Sequence, residues 1–163
     1  MTEEREGEHL LVSRIEDGTV IDHIPDWKAE TVTRVLGLDR KAMMKANASV
    51  AMLQNVASRQ LGRKDIVKVD RWHVKEGDAD ILCLVFPSIT VNYITNGSVA
   101  KYSPSVPDLI HGRIRCPELS CISNAEREPV TSEFVTLKAD RMLQCAYCDT
   151  LLGFDSVPEH VRT

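Results

Sequence analysis

Four of the chain's five cysteines fall in two close pairs, Cys116-Pro-Glu-Leu-Ser-Cys121 and Cys145-Ala-Tyr-Cys148, separated by a segment long enough for a strand and its turns. That spacing suits a tetrahedral Zn²⁺, because each pair sits on a short turn and supplies two of the four corners. Four thiolates fill the coordination sphere, so the expected ion is structural, one per chain, and is not a Lewis acid acting on a substrate. Apparent binding free energies of about 10 to 16 kcal/mol are typical of structural zinc peptides near neutral pH, enough to fold a segment with little core of its own. Two disulfides or an iron site are the other readings that the spacing leaves open. Cys83 stands apart in an apolar run and reads as a small core residue.

The remaining composition bounds what such a metal could serve. With 163 residues, 43% hydrophobic and 27% charged, the chain reads as soluble and globular, either one domain or two small ones. It holds no apolar run of the roughly 20 residues that cross a membrane, and its first residues lack the basic and apolar regions of a signal peptide. A reducing cytoplasm is therefore expected, where paired cysteines hold metal more often than they form disulfides. The formal charge of -4 and the pI near 5.7 give no electrostatic footprint for nucleic acid. A zinc-ribbon nucleic-acid binder stands as the rival reading, and the missing basic surplus counts against it. His9, His73, His111 and His160 read as surface groups.

The elements that must position these groups follow from periodicity and turn signals. Residues 1–9, with Glu3, Glu4, Glu6 and Glu8, read as a disordered, solvated tail. Leu10–Ile15 and Thr19–Ile24 read as strands joined at Asp17-Gly18 into a hairpin whose far end carries Asp22 and His23, closed by Pro25. Asp26 reads as the N-cap of a helix with Ala29, Val32, Val35 and Leu36 on one face and Gly37 at its stop. Residues 38–46 form a basic link. Ala48–Leu53 and Leu61–Val69 are strand candidates, the second alternating as a strand with one wet face would. Asp78 to Phe86 matches a helix capped by Asp78 and stopped by Pro87, and Ile89–Ile94 and Val99–Tyr102 flank the hairpin signal Asn96-Gly97. Ser103 to Asp108, with two prolines, reads as a linker. Beyond it, Ile110–Arg115, Val130–Leu137 and Leu151–Val157 are strand candidates threaded between the thiol pairs.

Four motifs in register carry a family resemblance: Gly18-Thr-Val-Ile-Asp-His-Ile-Pro25, Gly62-Arg-Lys-Asp-Ile-Val-Lys68, Thr90-Val-Asn92, and Cys116-Pro-x-x-x-Cys-Ile-Ser-Asn124 with Cys145-x-Tyr-Cys148. From Leu10 to Phe154 the chain resembles the regulatory chain of aspartate carbamoyltransferase. The resemblance implies a noncatalytic allosteric subunit in pyrimidine biosynthesis, with ATP as activator and CTP and UTP as inhibitors. It also implies a regulatory-chain homodimer and a zinc domain that docks on a separate catalytic chain. The Ser-Thr-Arg-Thr motif of that catalytic chain is absent.

By motif, the resemblance assigns the effector site to Asp22, His23, Lys68, Asn92 and Lys101, with Ser13, Ile15 and Val20 near the base. These residue types suit a nucleoside triphosphate, since lysines, a histidine and an amide supply cations and donors for phosphates, and a carboxylate accepts from ribose hydroxyls. A regular strand would turn Asp22 and His23 to opposite faces, so the strand must end or bend there. Lys64 and Arg63 are secondary candidates that read as surface or interface charges. Arg113, Arg115, Lys138 and Arg141 either offset the excess charge of four thiolates or are simply exposed. The expected fold class is α+β: an N-terminal, mainly antiparallel sheet with two helices on one face (ferredoxin-like), then a small C-terminal all-β zinc-binding domain. The expected division is a nucleotide-binding domain over 10–103 and the zinc domain over 104–163.

Overall fold

A computed structural model describes residues 14–162. Strand β1, Gly18–Ile24, lies at its centre, with antiparallel neighbours on both edges: β3, Gly62–Asp70, and β4, Thr90–Thr95. Beyond β3 lies β2, Ser49–Ser58, and beyond β4 lies β5, Ser98–Tyr102, giving the order β2-β3-β1-β4-β5. Helices α1 (Ala29–Val35), α2 (Arg40–Ala46) and α3 (Glu76–Val85) connect the strands. The order β2-β3-β1-β4 with its intervening helices is ferredoxin-like, and β5 extends it at one edge.

Period-two alternation sorts the faces. Thr19 and Ile21, Val67 and Val69, and Val91 are buried, joining Ala29, Val32 and Val35 of α1 and Ala79 and Leu82 of α3 in the core. At Gly18, φ is +152° and an added Cβ would lie 2.1 Å from the Val69 carbonyl oxygen, so only glycine lets the strand start this close to β3. Asn96 (φ 49°) and Gly97 (φ 79°) form the two-residue turn between Thr95 and Ser98, as a primed hairpin turn requires.

Several expectations are corrected. Both edges of β1 are occupied by β3 and β4, so β1 forms no hairpin across Asp17-Gly18; Leu10 to Ser13 lie outside the described residues, and Arg14 and Ile15 are not in a strand. The link 38–46 contains a third helix, α2, capped by the Asp39 carboxylate on the Ala42 N–H at 2.8 Å. Helix α1 starts after Lys28, not Asp26, because Trp27 takes a left-handed φ of 61°. Lys75, not Asp78, is the N-cap of α3. The expected strand at Ala48–Leu53 continues through Ser58 past a bulge, with Leu53 opposite Ile66 and Val56 opposite Lys64.

The C-terminal part is all-β. Strands β6 (Leu109–His111), β7 (Glu133–Leu137), β8 (Met142–Cys145) and β9 (Leu151–Gly153) form an antiparallel sheet in chain order. Here the expected strands shorten, β8 is added, and residues after Gly153 turn into a 3-10 helix, Phe154–Glu159, that packs against α3.

One buried carboxylate ties the first sheet to its helices. Asp65, on β3 and fully buried, accepts from the backbone N–H of Lys28 and Ala29 at 2.8 and 2.9 Å and from that of Asn55 at 2.8 Å. It thus caps α1 from a distant strand and closes the β2 bulge. Asp65→Ala would strand three donors, the Ala29 N–H buried and the other two partly buried, and at about 1–3 kcal/mol for a buried orphan the loss should exceed about 1 kcal/mol. Urea unfolding measures it, and a shift below about 1 kcal/mol contradicts this role.

Candidate metal centre and effector face

The fold brings the two cysteine pairs together. Cys116, Cys121, Cys145 and Cys148 place their sulfurs within 4.8 Å of one another, with 3.6 Å between Cys116 and Cys148 and 3.8 Å between Cys121 and Cys145. Four sulfurs held about 2.3 Å from one ion at tetrahedral angles stand about 3.8 Å apart, so the donor set fits a tetrathiolate metal site. All four cysteines are free of disulfides.

Local bonds shape both thiol loops. The Asn124 amide donates to the carbonyls of Cys116 and Glu118 at 2.9 and 2.8 Å, and the Cys121 N–H reaches the Glu118 carbonyl at 3.0 Å. In the second loop the Asp149 N–H closes on the Cys145 carbonyl at 3.0 Å, with Asp149 itself left-handed at φ 62°. Burial pushes the Cys116 thiol up, and likewise that of Cys145, whose sulfur receives the N–H groups of Cys148 and Tyr147 in partial compensation. The Thr150 hydroxyl, 3.2 Å away, draws Cys148 down to about 7. A divalent cation supplies the charge that buried thiolates otherwise lack.

The four side chains considered as charge partners are placed differently. Arg113 pairs with Asp78, Lys138 with Asp108, and Arg141 with Asp155, the last arginine also lying 5.2 Å over the Phe154 ring. Arg115 is exposed. Cys83 sits on α3, buried, with its sulfur 3.5 Å from the Pro104 carbonyl and its thiol pushed up by burial.

On the sheet, strand register assembles a second constellation. Lys68 is opposite Val20, Val20 opposite Asn92, and Asn92 opposite Lys101, so the four stand in one row across β3, β1, β4 and β5. The row lies on the face away from the helices, since its neighbours Thr19, Ile21, Val67 and Val69 point into the core. Beside it a cavity of about 280 Å³ is lined by Arg14, Ile15, Ser49, Val50, Ala51, Lys68 and Asp70.

Strand β1 breaks where the assigned pair sits. Ile21 is opposite Val67 but Ile24 opposite Asp65, and within that bulge His23 takes a left-handed φ of 56°. The His23 ring Nδ1 lies 3.0 Å from the Thr90 hydroxyl, and Asp22 forms an ion pair with Lys64 at 2.8 Å. Lys64, a secondary candidate that read from sequence as a surface or interface charge, is instead largely buried and held by Asp22; it shares a strand face with Lys68, a signal that its period-two spacing already carried. Ser13 lies outside the described residues.

Comparison with known proteins decides the family. The profile of the aspartate carbamoyltransferase regulatory chain, allosteric domain, matches residues 10–104, and that of its metal binding domain matches residues 108–158. The chain belongs to the aspartate carbamoyltransferase regulatory chain family. It is 43% identical over 157 residues to the regulatory chain of Hyperthermus butylicus, covering 95% of this chain and 96% of that one. It is also 42% identical over 148 residues to that of Thermofilum pendens, covering 90% and 91%, and 44% identical over 141 residues to that of Pyrobaculum arsenaticum, covering 85% and 91%. Membership makes this a noncatalytic subunit with an allosteric and a metal-binding domain. Among the described residues no helix is long and apolar enough to cross a membrane.

Cys145→Ser replaces a thiolate donor by a poor metal ligand. The bound metal per chain, measured by elemental mass spectrometry, should fall to a small fraction of wild type, and the four-stranded sheet should unfold while the five-stranded one persists in hydrogen exchange. Full retention of metal would exclude Cys145 as a ligand.

Proposed function

We propose that the chain senses nucleoside triphosphates, ATP, CTP and UTP, on the open face of its five-stranded sheet and conveys their binding to an aspartate carbamoyltransferase catalytic chain in the cytoplasm. The row Lys68, Val20, Asn92 and Lys101 carries the reading. At the usual strand spacing the row runs about 14 Å, the reach of a nucleoside with its phosphates. The cavity beside Ile15 and Lys68 suits a base and ribose, while the triphosphate lies outside over the sheet. In this reading Lys68, Lys101, His23 and Asn92 meet phosphate oxygens and Asp22, held by Lys64, accepts from ribose hydroxyls. Val20 and Ile15, with Ser13, contact the base.

The ion we assign to the four thiols is Zn²⁺, whose preference for four sulfur ligands matches the donor set. It would hold two loops that present Leu119 (80% exposed), Ile122 and Tyr147, an apolar surface suited to the catalytic chain. We place the division between the two domains at residues 103 and 104, within the stretch between β5 and β6 that has no helix or strand. The homodimer is supported by β2, a ten-residue edge strand, Ser49–Ser58, with neither charge nor proline to prevent pairing with a second copy. Nucleotide binding that favours one quaternary state is typically worth about 1–3 kcal/mol of coupling.

Lys68→Ala removes a charge-assisted contact and should weaken nucleotide binding about 10- to 100-fold by calorimetry, with zinc content and copurification with the catalytic chain unchanged. Unaltered affinity would remove Lys68 from the site. Met52→Lys puts a charge on the β2 edge and should convert dimer to monomer in sedimentation; a dimer that persists would place the interface elsewhere.

A further inference from the structure

Strand β5 carries Lys101 at the edge of the sheet, and its side chains Ser98, Val99, Ala100 and Lys101 are all exposed. Tyr102, the last residue of the strand, is the one side chain of β5 that is partly buried. Its hydroxyl donates to Asp80 Oδ1 on α3 at 2.8 Å, and the same oxygen accepts the backbone N–H of Ser105, in the segment leading to the metal-binding domain, at 3.0 Å. One carboxylate oxygen therefore holds both the end of the lysine-bearing strand and the start of the connection.

Helix α3 meets the other domain at further points. Asp78, two residues before Asp80, has Oδ1 2.8 Å from Arg113 Nε, and the 3-10 helix Phe154–Glu159 packs against α3. Cys83, three residues after Asp80, lies 3.5 Å from the Pro104 carbonyl. The helix is a common wall for the sheet and for the metal-binding domain.

We propose that Asp80 and Tyr102 are a positioning pair that transmits effector engagement at Lys101 to the connection and so to the metal-binding domain. A triphosphate that draws Lys101 inward displaces β5, and Tyr102 converts that displacement into a changed hold of Asp80 on Ser105. Neither residue touches the effector: Tyr102 lies beside Lys101 in sequence, on the opposite, core side of the strand, and Asp80 lies beyond it on α3. The Asp80 carboxylate grips the hydroxyl firmly enough to push the Tyr102 pKa up to about 12. The proposal rests on the effector reading above, because it needs an anion at Lys101.

The test uses holoenzyme reassembled from catalytic chains and full-length regulatory chains that are wild type, Tyr102→Phe, Asp80→Ala or Asp80→Asn. Two quantities are read on each: the ATP and CTP dissociation constants, and the shift in aspartate half-saturation caused by saturating nucleotide. Tyr102→Phe and Asp80→Ala should keep dissociation constants within about twofold of wild type and lose at least about threefold of the nucleotide-induced shift. Asp80→Asn, which keeps an acceptor oxygen for both donors, should restore most of the response. A Tyr102→Phe enzyme with the full response, or one whose affinity falls in step with its response, overturns the proposal. Wild-type holoenzyme that binds no nucleotide would overturn the effector reading itself, and this proposal with it.

Discussion

Asp65 is the point from which the open face of the five-stranded sheet takes its shape. Strand β3 stays regular while both of its neighbours bulge beside this residue, β1 between Ile21 and Ile24 and β2 between Leu53 and Val56. A bulge frees a backbone donor that needs a partner if it is not to be left buried and unpaired, and the fully buried Asp65 carboxylate provides one for Asn55. Its other oxygen takes the first amides of α1, fixing where the chain turns from β1 into the helix. The bulge in β1 gives His23 its left-handed backbone and leaves Asp22 paired to Lys64, so a core interaction sets the geometry of the sheet's open face.

The metal centre depends on the opposite circumstance, a shortage of core. The four-stranded sheet is small, and its thiol loops carry exposed Leu119, Ile122 and Tyr147 where a larger domain would bury such side chains. Buried thiolates without a cation are unfavourable, as the raised thiols of Cys116 and Cys145 indicate, whereas an ion shared by four of them replaces many missing core contacts. A site filled by four sulfurs has no open corner for substrate, in keeping with a subunit whose role is regulatory.

What the sequence discloses follows from range. Thiol spacing, the Asn96-Gly97 turn, the alternation along Ile66 to Val69 and the helical spacing around Leu82 are local signals, and the structure realises each of them. The departures are long-range. Asp26 and Asp78 resemble caps locally, yet the carboxylate that caps α1 comes from Asp65, far along the chain, and Asp78 turns instead to Arg113. The hairpin at Asp17-Gly18 does not form because β1 gives both edges to β3 and β4, a competition no local pattern records. Helix α2 escapes a reading by periodicity because seven residues with a single buried side chain, Met43, show almost none. Strand β8 is hidden for another reason: it ends in a thiol, Cys145, so the metal motif masks the strand that delivers it.

The same contrast of local and long-range bonds bears on how the two domains communicate. A proline-containing connection such as 103–108 would by itself let them move independently. Here it is clasped to α3 by Asp80 and flanked by Cys83 against Pro104, while Arg113 and the 3-10 helix after Gly153 approach α3 from the metal-binding side. Buried side chains of the five-stranded sheet, of α3 and of the cysteine-bearing sheet form one continuous cluster. Close-packed groups transmit displacement because they lack free volume to absorb it. A ligand bound as proposed on the far face of the sheet would thus reach the metal-binding domain through α3, with the connection held against that helix at Ser105.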